Sequence, residues 1–202
     1  MFVGLFNANG LPGKDQEVLS FFKTRNLDLM FITETWLAEG QSTIINSSFI
    51  CLSINQDATR VIQGGRRAGG GVLAVCRPEI KAHTKILYND RYNHFAVIKI
   101  LDVCYAIAYL PPSLPDDFLD YYLDQVLAVT ADEDHVVLLG DFNARLGEVN
   151  GDHALNSRGK HLFRLLEDQT LTVWEPVEGK YTSFNQFGFG ITDLIMSNGI
   201  EP

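Results

Sequence analysis

Apolar residues in this chain gather into short continuous runs, and most runs stop at a polar side chain beside turn residues. Such runs, rich in β-branched residues, predict buried strands from Val3 to Asn7, Leu29 to Glu34, Val72 to Cys76, Phe95 to Ile100, Val103 to Leu110 and His135 to Gly140. Shorter strands are expected around Leu171 to Trp174 and Tyr181 to Phe184, and a last one from Thr192 to Ser197. Between them the spacing turns helical. Gln16 to Arg25 is expected to form a helix with Val18, Leu19, Phe21 and Phe22 on its apolar face, and Lys160 to Asp168 another. Asp116 to Val129 reads as a helix whose acidic first turn suits the helix dipole. Strand, helix, strand order with strands apolar throughout implies sheets covered by helices, a layered α/β protein. Gly64 to Gly71 reads as a flexible loop, because it lacks the Gly-Lys-Ser/Thr ending of a phosphate-cradling loop.

The length of 202 residues and the 46% hydrophobic content suit one domain with a two-sided sheet core, and no linker or internal repeat divides it. No apolar stretch approaches the roughly eighteen residues of a membrane span, and Met1 to Leu5 lacks the charged n-region of a signal peptide, so an intracellular protein is expected. Cys51, Cys76 and Cys104 are odd in number, widely spaced and set among apolar residues, which points to buried free thiols instead of disulfides or a zinc site. A net charge of −9 counts against strong nonspecific binding to a polyanion. A metal site, however, needs clustered carboxylates. A basic patch at Arg60, Arg66 and Arg67 could face phosphates or be an ordinary solvated loop.

The polar residues at the run ends carry the candidate chemistry. His135-Val136-Val137-Leu138-Leu139 delivers Gly140-Asp141-Phe142-Asn143-Ala144-Arg145, and four other sites accompany it in order. They are Asn7 in Leu5-Phe6-Asn7-Ala8-Asn9-Gly10-Leu11, Glu34 in Phe31-Ile32-Thr33-Glu34-Thr35-Trp36, Tyr109 in Ala108-Tyr109-Leu110-Pro111-Pro112-Ser113, and Asp193 in Gly190-Ile191-Thr192-Asp193-Leu194-Ile195-Met196-Ser197. A lone Gly-Asp-x-Asn is an ordinary turn; the ordered set, from Phe2 to Ser197, resembles the endonuclease/exonuclease/phosphatase superfamily. Those metal-dependent phosphodiesterases include deoxyribonuclease I, abasic-site endonucleases and the endonuclease domains of non-LTR retrotransposons. The resemblance implies a four-layer α/β sandwich of the deoxyribonuclease I-like type.

It also implies roles. Glu34 matches the family's metal-binding Glu, with Mg²⁺ the expected ion and Mn²⁺ an alternative. Asp141 resembles the residue that orients the nucleophile or acts as general base. Asn143, two residues on, could place its amide on the same side of an extended chain to bond phosphate or water; the alternative is an Asx-turn closing the strand. Asn7 matches an Asn that helps fix the carboxylates or the phosphate. Asn9 stands where many relatives carry Asp, which removes a charge, and otherwise reads as a turn residue before Gly10. Tyr109 resembles a Tyr whose phenol donates to a non-bridging oxygen, and the Pro-Pro-Ser that follows is like retrotransposon endonucleases. Thr182, in Tyr181-Thr182-Ser183-Phe184, matches a phosphate- or groove-contacting Thr, although Thr is also simply a good strand former. Arg145 could contact phosphate or pair with a surface carboxylate.

Asp193 corresponds to the Asp that orients a His, which relatives carry in a downstream Ser-Asp-His motif. The five histidines, at 83, 94, 135, 153 and 161, all precede Asp193, and His153 in its polar loop reads as a surface residue. The expectation is therefore a domain incomplete at its C-terminus, lacking the last strand, that nicks DNA poorly or not at all. The function implied is a retrotransposon-type DNA endonuclease leaving a 3′-hydroxyl, with DNA as partner and a reverse transcriptase domain in a full-length, nuclear polyprotein. A phosphatase acting on a small phosphoester, or an impaired remnant that only binds, are the alternatives.

Overall fold

The computed structural model describes residues 1–38, 41, 43–55, 60–62, 65–67, 69–169, 171–174, 182–185 and 188–198, with the main chain alone at 60–62, 65–67, 168–169, 183–185 and 188–189. Strand β1 (Val3–Asn7), helix α1 (Asp15–Thr24) and strand β2 (Leu29–Thr33) form a β-α-β unit in which β1 and β2 pair in parallel, Val3 opposite Leu29 and Asn7 opposite Thr33. Parallel neighbours need a crossover, which α1 supplies. Then come β3 (Ile50–Ile54), the hairpin β4 (Arg60–Ile62) and β5 (Gly65–Arg67), β6 (Val72–Cys76) and the one-turn helix α2 (Pro78–Lys81). Strands β7 (Thr84–Asn89), β8 (Phe95–Ile100) and β9 (Val103–Tyr109) form an antiparallel meander. A second β-α-β unit joins β9 through α3 (Phe118–Val129) to β10 (Val136–Asp141), again in parallel. Helix α4 (Ser157–Gln169), β11 (Thr172–Val173), the pair β12 (Ser183–Asn185) and β13 (Gly188–Gly190), and β14 (Asp193–Asn198) follow.

One sheet has the order β1-β2-β6-β3 and the other β11-β14-β10-β9-β8-β7. Their inner faces form a shared core in which Leu29, Phe31, Leu52, Val72 and Ala74 meet Ala96, Ile98, Tyr105, Ile107, Val137 and Leu139. Because successive side chains of a strand point to opposite faces, the outer faces need cover of their own. Val18 and Phe22 of α1 pack with Met30, Ile32, Leu73 and Val75 on one outside, and Leu119, Tyr122, Leu123 and Val126 of α3, with Leu162 and Leu166 of α4, cover the other. The layers thus run helix, sheet, sheet, helix. Strands β2, β6 and β10 are buried on both faces, which is why their sequences are almost uniformly apolar. Among the described residues no helix is long and apolar enough to cross a membrane.

Some expectations are corrected. Residues 65–67 of the expected flexible glycine loop are strand β5, hydrogen-bonded to β4 with Arg60 opposite Arg67. Gly64 and Ala68 of that loop, Tyr181, and the side chains of Arg60, Arg66 and Arg67 lie outside the described residues. Phe21 is exposed instead of joining the apolar face of α1, with the Arg25 guanidinium 5.6 Å from its ring centroid. Asp116 precedes α3, and its carboxylate accepts from Ser157 Oγ at 2.7 Å and Arg158 Nε at 3.4 Å. Strands β3 and β7, absent from the sequence reading, are sheet edges; Ser53 interrupts the apolar run of the first, and Thr84, Lys85 and Asn89 leave only three apolar residues in the second.

Candidate active site

The carboxyl ends of two parallel strand pairs meet at one edge of the sandwich, and that coincidence assembles the site. In the first sheet Asn7 and Thr33 lie opposite each other; in the second, Tyr109, Asp141 and Asp193 form one cross-strand row, Asp141 being opposite both neighbours. Side chains bridge the two rows. Asn7 Nδ2 donates to Glu34 Oε1 at 3.2 Å and to Asp141 Oδ2 at 3.1 Å, and the Thr33 hydroxyl donates to Asp193 Oδ1 at 3.4 Å. Asn7 and Asp141, 134 positions apart in sequence, are held by a single amide.

Local backbone features aim these groups. The parallel pairing of β1 and β2 continues past both strands through Ala8 N to Thr33 O, Gly10 N to Glu34 O and Leu11 N to Thr35 O, at 2.8 to 3.0 Å. From the other side Gly71 and Gly70 carbonyls accept from Thr35 and Trp36. Glu34 is thereby held at φ 50°, a left-handed conformation uncommon for a non-glycine residue, and Asn9 and Asn143 share it at 43° and 50°. Gly140, at φ 137°, admits no side chain, since a Cβ would stand 1.9 Å from the Ala108 carbonyl oxygen. That close approach sets Asp141 beside Tyr109.

Asp141 is 2% exposed; burial first, then the charge of Asp193, raises its carboxyl well above the ordinary value, with Glu34 adding to the effect. Burial pushes Asp193 up to about 6, against neighbouring hydrogen-bonding groups led by Thr182, and Asp193 Oδ2 has no hydrogen-bond partner among the described residues. Carboxylates crowded in a low-dielectric edge repel one another, and a cation relieves that repulsion. Among the described residues no group of three or more His, Cys, Asp and Glu is arranged to enclose a metal ion. The hard-oxygen donors of Glu34 and Asp141, joined through one amide, nevertheless fit a hydrated Mg²⁺ or Mn²⁺, which takes one or two carboxylates and keeps waters.

The remaining sequence candidates have defined places. Asp141 Oδ1 accepts from Asn143 N at 2.9 Å, so the Asx-turn is present and the chain at Asn143 is not extended; its amide Nδ2 donates to Leu110 O at 3.1 Å. Asn9 N donates to Asn7 Oδ1 at 3.0 Å, a turn that orients the bridging amide. Arg145 forms a two-pronged pair with Asp152 at 3.0 and 2.6 Å, and that carboxylate is buried, not at the surface. Burial alone would raise Asp152, but Arg145 and the N–H groups of Ile191 and Ala154 hold it down to about 2. Thr182 Oγ1 accepts from both Thr192 N and Asp193 N at 3.1 Å, fixing the main chain at the start of β14. The exposed His153 ring lies against Asp152, with Nδ1 3.5 Å from Oδ1.

Sequence reasoning missed the supports. Arg158 is buried, and its Nη1 donates to the carbonyls of Leu110, Pro111 and Phe142 at 3.0 to 3.3 Å, tying the residues after Tyr109 to the residue after Asp141. Asn156 Nδ2 donates to Asn143 O at 3.0 Å, while its Oδ1 caps α4 through Gly159 N at 2.7 Å. Arg158 lies in the first turn of α4, where a cation opposes the dipole, but with the helix expected only from Lys160 the sequence carried no sign of that task.

Solved structures with this fold include the endonuclease domain of TRAS1, a telomere-specific non-LTR retrotransposon, at 17% identity and TM-score 0.64, covering 95% of this chain and 82% of that one. A 3′-5′ exonuclease from Neisseria meningitidis matches at 17% identity and TM-score 0.68, over 98% of this chain and 87% of that one. An AP endonuclease from Archaeoglobus fulgidus matches at 11% and 0.64, over 98% and 87%. At these identities the likeness shows the fold alone. In sequence, the chain is 22% identical to the RNA-directed DNA polymerase from mobile element jockey of Drosophila funebris over 98% of its own length, but spans only 21% of that protein. A family model described as Endonuclease/Exonuclease/phosphatase family matches residues 4–200, and the chain, with its paired sheets and bridged carboxylates, belongs to that family.

Proposed function

We propose that this chain is a metal-dependent DNA endonuclease of the retrotransposon type, which hydrolyses a phosphodiester to leave a 3′-hydroxyl. The observation that carries the reading is the Asn7 amide joining Glu34 to Asp141 across the two sheets. Glu34, with Asp141 beside it, would hold Mg²⁺ or Mn²⁺, and the bound ion supplies charge neutralisation at the phosphoryl oxygens. Asp141, its proton affinity raised by burial and Asp193, orients the attacking water and takes its proton. Asn7 keeps the two carboxylates in register against their repulsion. Tyr109 donates its phenolic hydrogen to a non-bridging oxygen, and Asn143, locked by its Asx-turn, lines the same edge for a phosphate or water contact. Asp193, opposite Asp141 on β14, stands ready to orient a proton donor toward the leaving oxygen, whose developing negative charge must be neutralised. Asn9, Thr182 and Arg145 act behind these groups, the first by holding the Asn7 side-chain oxygen, the second by fixing main chain at Asp193, the third by anchoring Asp152.

In this reading the domain works within a longer polyprotein that carries a reverse transcriptase, on DNA in the nucleus. The likeness to the jockey polymerase supports that placement. The test is conversion of supercoiled plasmid to open circles with protein in excess, in Mg²⁺, followed by polymerase extension of the nicks. Slow nicking with extendable ends, reduced at least a hundredfold in Asp141→Asn, is expected. Nicking that survives Asp141→Asn, or ends that cannot be extended, would overturn it.

A further inference from the structure

We propose that His94 is a positioning residue for Tyr109, an inference that rests on the hydrolase reading above. Tyr109 is the last residue of β9; on the β10 side Leu110 N donates to Asp141 O at 2.8 Å, and then Pro111 and Pro112 end the ladder. On the β8 side the support comes from His94, which faces Tyr109 one step past the Phe95–Ala108 pair. Its carbonyl accepts from Tyr109 N at 2.8 Å, and its ring hydrogen-bonds the Tyr109 main chain. Both main-chain groups of Tyr109 are thus tied to one residue.

His94 is held through both its main chain and its ring. His94 N donates to Asp90 Oδ2 at 3.1 Å, and Asp90, 1% exposed, also accepts from the Tyr121 hydroxyl at 3.2 Å. Phe118 of α3 meets the imidazole edge-on, with ring centroids 5.5 Å apart. Asn93, at φ 59°, closes the turn with its N–H on the Asp90 carbonyl at 2.9 Å. A buried carboxylate and a tight turn therefore fix the His94 main chain, Phe118 backs its imidazole, and the imidazole ties down the strand end that carries the phenol. Half-burial lowers the His94 pKa, which keeps the ring a neutral hydrogen-bonding group at neutral pH. Small displacements of a group that meets the transition state cost rate more than affinity.

The experiment compares the full chain with Tyr109→Phe, His94→Ala, His94→Gln and the His94→Ala/Tyr109→Phe double variant, in plasmid nicking and by NMR of ¹³C-labelled tyrosine rings. His94→Ala is expected to lower kcat by roughly tenfold to a hundredfold with KM nearly unchanged. His94→Gln, which keeps a side-chain hydrogen-bonding group, restores most of the rate, and the double variant is no slower than Tyr109→Phe. The Tyr109 ring signals shift in His94→Ala and return in His94→Gln. Multiplying losses, an effect on KM alone, or Tyr109 signals unmoved by His94→Ala overturn the inference. A parent chain that nicks nothing in Mg²⁺ defeats the hydrolase reading instead, and the tyrosine signals then still decide whether His94 holds Tyr109.

Discussion

A single neutral side chain decides the electrostatics of this site. Asn7 offers one amide nitrogen to two carboxylates that would otherwise repel, and its own oxygen is held by Asn9 N, so the amide orientation is settled from within its loop. An Asp at position 7 would add a fourth negative group, and an Ala would leave Glu34 and Asp141 without their shared donor. Asn7→Ala is therefore expected to cut plasmid nicking by at least about tenfold and to destabilise the fold by only about 1 kcal/mol, as measured by urea unfolding. A full loss of folding would move Asn7 from the chemistry to the architecture. Asp141 works in two directions at once, accepting from Asn7 across the sheets and from Asn143 N along its own chain.

At the scale of elements, the site depends on close contact between β9 and β10. Gly140 has no room for a methyl group beneath Ala108, and the same register that forbids it aligns Asp141 with Tyr109 on one side and Asp193 on the other. Gly140→Ala is expected to lose several kcal/mol of stability and all measurable nicking, because relieving the clash separates the two strands. A well-folded, active Gly140→Ala protein would show that the strand contact is not what positions Asp141. The central strands were legible in the sequence because burial on both faces leaves them uniformly apolar, as in β2, β6 and β10. The edge strands β3 and β7 were not, since Ser53 cuts the run short in one and Thr84, Lys85 and Asn89 leave only three apolar residues in the other. Strand ends bearing Asn7, Glu34, Tyr109, Asp141 and Asp193 were readable one at a time. Their bridging by Asn7 and Thr33 was not, because local patterning carries no record of which sheet faces which.

For the whole molecule, the two sheets must stay docked for the rows to meet, and Arg145, Asp152 and Arg158 secure the chain behind them. Asp152 has no exposed side chain, binds Arg145 and accepts the Ile191 N–H at 2.8 Å, which anchors the approach to β14. Its carboxyl is held at about 2, below its ordinary 3.8, so the folded state binds the proton less readily than the unfolded chain. The stability from this group is complete above pH 3.8 and is lost as the pH falls through about 2. The gap in unfolding free energy between the parent and Asp152→Asn should accordingly narrow as the pH drops across that window; a gap that widens would reverse the assignment.

Mg²⁺ titration by calorimetry most directly tests the proposed divalent-cation site at the edge where the two sheets meet. The parent chain should bind the ion with an affinity that falls at least about tenfold in Glu34→Gln, since removing one carboxylate takes away the chief oxygen donor. Unchanged Mg²⁺ binding in a folded Glu34→Gln protein would contradict it.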